Sequence, residues 1–187
     1  RVRVQPDGKI VVGVQSRINF DREFVLTRYN ANGALDVEFG TNGIVRTILP
    51  NTNEAIYDLA LQDDGKILAV GTISGSSNDD LAVFRYNTDG SMDTSFASNG
   101  MFTYDFANAH NYVFGVGLTS DSKIILVGRY QNGAISSPFV CKLNANGTFD
   151  DSFATNGMLI QTTDEMPNDV IIQEDDRILV VGTSNSN

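Results

Sequence analysis

The chain repeats itself at a long fixed period. Arg28 to Gly43 (RYNANGALDVEFGTNG) returns as Arg85 to Gly100 (RYNTDGSMDTSFASNG) and as Lys142 to Gly157 (KLNANGTFDDSFATNG), each copy 57 residues after the one before. A second block, Asp7-Gly8-Lys9-Ile10, returns at the same period as Asp64-Gly65-Lys66-Ile67 and Asp121-Ser122-Lys123-Ile124. Its last copy, Asp175-Asp176-Arg177-Ile178, comes three residues early. Such a period requires an architecture in which each unit buries its apolar face against the next.

The middle copy gives the unit. Ala55 to Gln62 is a strand-length apolar run with partial alternation, and Asp63-Asp64-Gly65 is a turn signal in which Gly supplies a positive φ. Lys66 to Gly71 is continuously apolar after its Lys, as a strand covered on both faces would be. After the polar stretch Ser74 to Asp80, Leu81 to Tyr86 is a third strand. Two turns follow, at Asp89-Gly90 and Asn99-Gly100, before a fourth strand, Met101 to Phe106. No segment carries a sustained 3.6-residue stripe, so the sequence predicts almost no helix beyond a single turn at Asp93 to Phe96 capped by Asp93. Four antiparallel strands per copy are the unit of a β-propeller blade. A stacked β-solenoid is the rival, but its coils are far shorter than this period. The expected fold is all-β: four-stranded antiparallel propeller blades, about three and a half repeats, forming a partial or arc-like propeller.

The expected division of the single 1–187 repeat domain is a partial blade over 1–49, blades over 50–106 and 107–163, and a partial blade over 164–187. The copies number fewer than the ~4–8 blades of a closed propeller. The chain is therefore expected to be part of a longer protein, or to need further blades from the same or another chain. The start at Arg1 rather than Met agrees with that expectation.

The pattern Gln-x-Asp-Gly-Lys-Ile followed by Arg-Tyr-Asn-x-x-Gly-x-Leu-Asp-x-x-Phe-Gly-x-Asn-Gly resembles the bacterial delta-60 repeat family, and the likeness covers essentially the whole chain. The resemblance implies propeller blades in large secreted or cell-surface proteins, and it implies no reaction. Two departures stand out. Gly13 lies one residue early relative to Gly71 and Gly128, which predicts a bulge or altered loop in the first blade's second strand. Ser122 and Asp176 replace Gly8 and Gly65, which puts a type I′ hairpin in doubt there.

A net charge of −10, with scattered Lys and Arg, argues against nucleic acid, since phosphate binding needs clustered cations. No apolar run approaches the ~20 residues of a spanning helix. The lone Cys141 can form no internal disulfide, and Thr27 and Phe84 occupy its position in the other copies, so it reads as a strand residue rather than a nucleophile. Asn, Gly, Ser and Thr with the acidic balance suit an extracellular, surface-exposed or periplasmic bacterial protein.

Asn87-x-Asp89-Gly90-x-x-Asp93, echoed by Asn30 to Asp36 and Asn144 to Asp150, looks like the later part of a calcium loop. The position of the first ligand, however, holds Arg28, Arg85 or Lys142. A cation there repels the metal and can pair with the Asp eight residues on, so the reading is a basic–acidic pair with an Asx-type turn, and no metal or other cofactor is expected. Recurrent Phe39, Phe96 and Phe153 read as core. His110, the single histidine, has no second His and no matching Cys for a zinc site. There is no G-x-S-x-G elbow and no phosphate-binding loop, so no catalytic residue is assigned.

Comparison of the copies separates two rims. The first-to-second and third-to-fourth connections are nearly identical between copies. The second-to-third connections (QSRINFD, SGSSNDD, QNGAISS) and the links between blades differ in length and chemistry. Identical connections serve the scaffold, while divergent ones are free to serve recognition. The candidate binding residues on the variable rim are Arg17, Phe20, Asp79, Asp80, His110, Tyr112, Tyr130 and Asn132. The expected function is a non-enzymatic surface module binding a protein, a glycan or another copy of itself. The alternatives are an enzyme with a polar site at the central channel, which would bring Asp58, Asp169 and His110 together, and a structural spacer in a large adhesin.

Overall fold

The computed structural model describes residues 1–18, 21–50, 52–75, 78–106, 108–163 and 165–184; of Arg17, Ile18 and Asp21 it describes the backbone alone. Three four-stranded antiparallel sheets follow one another along the chain. The first holds β1 (Val2–Val4), β2 (Ile10–Ile18), β3 (Asp21–Tyr29) and β4 (Ile44–Thr47). The second holds β5 (Asn53–Leu61), β6 (Ile67–Ser74), β7 (Asp79–Tyr86) and β8 (Met101–Tyr104). The third holds β9 (His110–Leu118), β10 (Ile124–Asn132), β11 (Ile135–Leu143) and β12 (Met158–Ile160). A two-stranded sheet, β13 (Glu165–Ile172) and β14 (Ile178–Ser184), completes the described chain, which contains no helix among those residues. Strands pair in sequence order within each sheet, and each sheet packs on the next, led by contacts to its innermost strand. These are propeller blades, and the sheets are not closed into a ring.

The packing explains why the second strand of each blade is apolar at successive positions. Ile67 and Ala69 of β6 join Val11, Phe24 and Leu26 of the preceding blade in one core. Leu68 and Val70, on the opposite face of the same strand, join Val113, Val116, Ile124 and Leu126 of the following blade in another. A strand that serves two interfaces has no solvent face, so alternation disappears. Phe39 and Phe96, completely buried, belong to these inter-blade cores as their recurrence predicts.

The first strands of the later blades carry a feature that the residue pattern conceals. Tyr57 in β5, Phe114 in β9 and Asn168 in β13 are each skipped in the pairing, which makes a β-bulge at one repeated position. The bulge pushes a carbonyl toward the neighbouring strand. A Cβ on Gly71 would lie 1.7 Å from the Ala55 oxygen, one on Gly128 2.0 Å from that of Tyr112, and one on Gly182 2.1 Å from that of Met166. The recurrent glycine is therefore the partner of the bulge. In the first blade, β2 pairs with β3 without a register shift, so no bulge interrupts that pairing at Gly13, and the loop at 19–20 lies outside the described residues. Gly13 instead faces the side chains of Ile56 and Leu59 on the next blade.

The hairpin turns also differ from expectation. Gln5 N–H donates to the Lys9 oxygen and Gly8 N–H to the Gln5 oxygen, and the same pair of bonds closes the turns at Gln62, Thr119 and Gln173. Only one residue of each turn is left-handed (Gly8 φ 82°, Gly65 φ 82°, Ser122 φ 62°, Asp176 φ 59°), whereas a type I′ turn needs two. Ser122 and Asp176 keep this geometry without glycine, at about 1–2 kcal/mol for the left-handed backbone. On the opposite rim the predicted loops are shorter than the sequence implies. Pairing continues to Ser74 with Asp79 and to Asn132 with Ile135, leaving Gly133 and Ala134 as a two-residue turn.

Candidate functional site

The two rims have different chemistry. On the repeated rim, Asp36 accepts from Lys9 Nζ at 2.9 Å and from Arg28 Nε at 2.7 Å. Asp93 is held in the same way by Lys66 at 2.9 Å and Arg85 at 2.7 Å, and Asp150 by Lys123 at 2.8 Å with Lys142 at 3.7 Å. The turn preceding each Asp is of the Asx kind, with Ala34, Ser91 and Thr148 N–H donating to Asn32, Asp89 and Asn146 side chains. These carboxylates are therefore engaged by ammonium and guanidinium groups. The Lys9 hydrogen bond is the main cause that holds Asp36 below the usual carboxylate range, and the Lys123 bond does the same for Asp150. Burial pushes Asp93 up, but hydrogen bonds from Ser95 and Lys66 outweigh it and leave its carboxyl well below that range.

The same Arg residues join blades. Arg28 Nη1 donates to the Thr88 oxygen and Arg85 Nη1 to the Ala145 oxygen, both at 2.5 Å. The guanidinium carbons lie 4.4 Å and 4.6 Å from the ring centres of Phe39 and Phe96. Alongside, Gly40 N–H donates to the Asp89 oxygen and Ala97 N–H to that of Asn146. The repeated rim is consumed in holding blade to blade.

The variable rim brings three predicted residues together. Asp79, the first residue of β7, accepts from Tyr112 Oη at 2.8 Å, and His110 Nδ1 lies 2.8 Å from the same oxygen. This clasp joins the second and third blades. His110 and Tyr112 sit at alternate positions of the innermost strand β9, their rings nearly parallel with centroids 6.1 Å apart, and Phe114 continues the row at 6.3 Å. Tyr57 meets Phe114 edge-on at 5.7 Å. Burial and the bond to Asp79 push the Tyr112 phenol up to about 12, so it remains a donor. The His110 side chain is 46% exposed, which leaves the outer end of the row open to solvent.

The other predicted residues lie apart from this clasp. Asp80 points to the opposite face of β7, with a buried Oδ1 that has no hydrogen-bond partner; burial, then Asp105 and Asp79, raise its carboxyl. Tyr130 packs edge-on against Phe106 at 5.1 Å. Asn132 ends β10 in the tight turn and is exposed. The Arg17 side chain and Phe20 lie outside the described residues. Cys141 is fully buried, and that burial pushes its thiol up, away from nucleophilic character. Asp58 and Asp169 do not meet His110: Asp58 accepts from Arg3 Nη2 at 2.8 Å and Val116 N–H at 3.2 Å, and Asp169 from Val170 N–H at 2.8 Å.

A family described as a domain of unknown function (DUF5122) β-propeller matches residues 5–39, 62–96 and 119–153, more than half of the sequence. The chain belongs to that family. None of the curated proteins matches it. Each DUF5122 match begins at the residue whose backbone closes the first hairpin and ends at the Phe of the third-to-fourth connection, so it contains the whole ion-pair set, Lys–Asp–Arg in the first two copies and Lys123–Asp150–Lys142 in the third.

Sequence reasoning missed Arg129 and the Tyr57–Phe114 contact. Arg129 had a visible signal, since Gln15 and Thr72 occupy its repeat position and it alone of the three is charged. The aromatic contact had none, because it depends on bulged residues of two blades.

Proposed function

We propose that this DUF5122 propeller is a non-enzymatic secreted or cell-surface module that binds a protein, a glycan or another copy of itself through its variable rim. The finer assignment to the delta-60 repeats of large bacterial surface proteins rests on the recurring Arg-Tyr-Asn-x-x-Gly and Phe-x-x-Asn-Gly elements, and it supplies the extracellular setting. The observation that carries the proposal is the division of labour between rims. The repeated rim spends its charges on Asp36, Asp93 and Asp150, while the variable rim presents a non-repeating cluster of Asp79, His110 and Tyr112 with an open aromatic end. The separate partners of Asp58, Asp169 and His110 lend no support to an acid–base centre at the channel.

The test is a broad glycan array and a protein pull-down with the chain and with the Asp79→Asn/His110→Ala/Tyr112→Phe variant. A ligand retained by the parent and lost by the variant, with a cooperative melting curve showing that the variant is folded, supports the proposal. Capture of nothing by either would make the module a spacer and end it.

A further inference from the structure

Arg129, beside this rim, lacks a counter-charge among the described residues. Arg129 on β10 has no carboxylate within salt-bridge distance among the described residues, in contrast to Arg3, Arg28, Arg46 and Arg85. Its guanidinium carbon lies 5.2 Å from the centre of the Tyr112 ring, and its Nη1 reaches only the Met166 thioether at 3.7 Å. Its Nε is buried with no hydrogen-bond partner. Leaving charged donors dry is costly, and the usual remedy is an anion. Met166 and Pro138, the residue opposite Arg129 on β11, both line a cavity of about 410 Å³ between the third and fourth blades. Gln161, Glu165, Thr183 and Ser184 complete its polar wall, and Arg129 lies behind Met166 rather than in the lining. That volume lies in the range of small-ligand sites, ~300–1,000 Å³. Methionine is the side chain that moves most readily from such a position.

Resting on the binding-module reading, we infer that this cavity takes a sugar bearing one carboxylate, of the uronic acid class, whose carboxylate seats on Arg129 in place of the Met166 sulfur. Arg129 behind Met166, with one carboxylate, an amide and two hydroxyls at the wall, suits a polyol with a single negative charge. Glu165 at the wall and the net charge of −10 oppose a densely anionic ligand such as an acidic peptide.

The test is calorimetric titration of the full chain with a glucuronate-containing tetrasaccharide, its carboxyl-reduced counterpart and a tetraglutamate peptide, repeated with Arg129→Gln and Arg129→Lys. Melting curves establish that both variants are folded. The acidic saccharide should bind at least tenfold more tightly than the reduced one; Arg129→Gln should lose at least tenfold and Arg129→Lys less. Equal affinity for both saccharides, no binding of either, tighter binding of the peptide, or an unaffected Arg129→Gln variant overturns the inference. If it is overturned while the Asp79/His110/Tyr112 variant still loses a ligand found on the array, this site alone falls and the binding-module reading stands.

Discussion

Arg85 ties the second blade to the third: one edge of its guanidinium holds Asp93 at 2.7 Å, and Nη1 reaches across to the Ala145 oxygen at 2.5 Å. Arg28 repeats the arrangement one blade earlier, toward Asp36 and Thr88. Both partners of the Arg85–Asp93 pair are nearly buried, so removal of the cation strands a carboxylate. Breaking such a pair costs about 3–5 kcal/mol, and Lys66, still 2.9 Å from Asp93, offsets part of it.

Arg85→Ala should therefore lose about 2–3 kcal/mol in urea unfolding. Arg85→Lys should lose about 1 kcal/mol, chiefly the bond to the Ala145 carbonyl. A loss within 0.5 kcal/mol for Arg85→Ala, about the size of an ordinary surface change, would show that the pair does not hold the blades.

The bulge makes a sharper contrast between two glycines. Gly71→Ala places a Cβ 1.7 Å from a backbone oxygen that cannot retreat without opening the sheet. A cost of about 3 kcal/mol or more follows. Gly13→Ala meets only the side chains of Ile56 and Leu59, at 3.2 Å and beyond, and should cost under about 1 kcal/mol. Equal melting temperatures for the two variants would contradict the bulge.

Acid should weaken the repeated rim. Asp36, Asp93 and Asp150 all have folded-state pKa values depressed below the unfolded carboxylate value. Their contribution is therefore full above the unfolded value, about 3.9, and is lost as pH falls through the depressed folded values. Denaturant midpoints should hold steady from neutral pH to about 5 and decline below about 4. Asp93→Asn should flatten part of that decline. An unchanged midpoint at pH 3 would remove these pairs from the account.

Much of the scaffold is legible in the residues. The period gave the blades, and Arg28 and Asp36, eight apart in every copy, announced the ion pair. The Lys9 contribution was hidden, because the first hairpin meets the third-to-fourth connection only after the sheet forms. The bulge at Tyr57 and Phe114 left only an indirect trace, the recurrent Gly71 and Gly128, since a skipped residue changes pairing without changing composition. Asp79 and His110 were both visible as variable residues. Their union was not, because they are 31 positions apart on different blades and meet through inter-blade packing.

The most direct test of the two-rim account is hydrogen exchange on the chain bound to whatever ligand the array or pull-down supplies. The account predicts new protection in 74–79, 108–112 and 130–135, with the turns at 30–36, 87–93 and 144–150 unchanged. Protection confined to those repeated turns would contradict it.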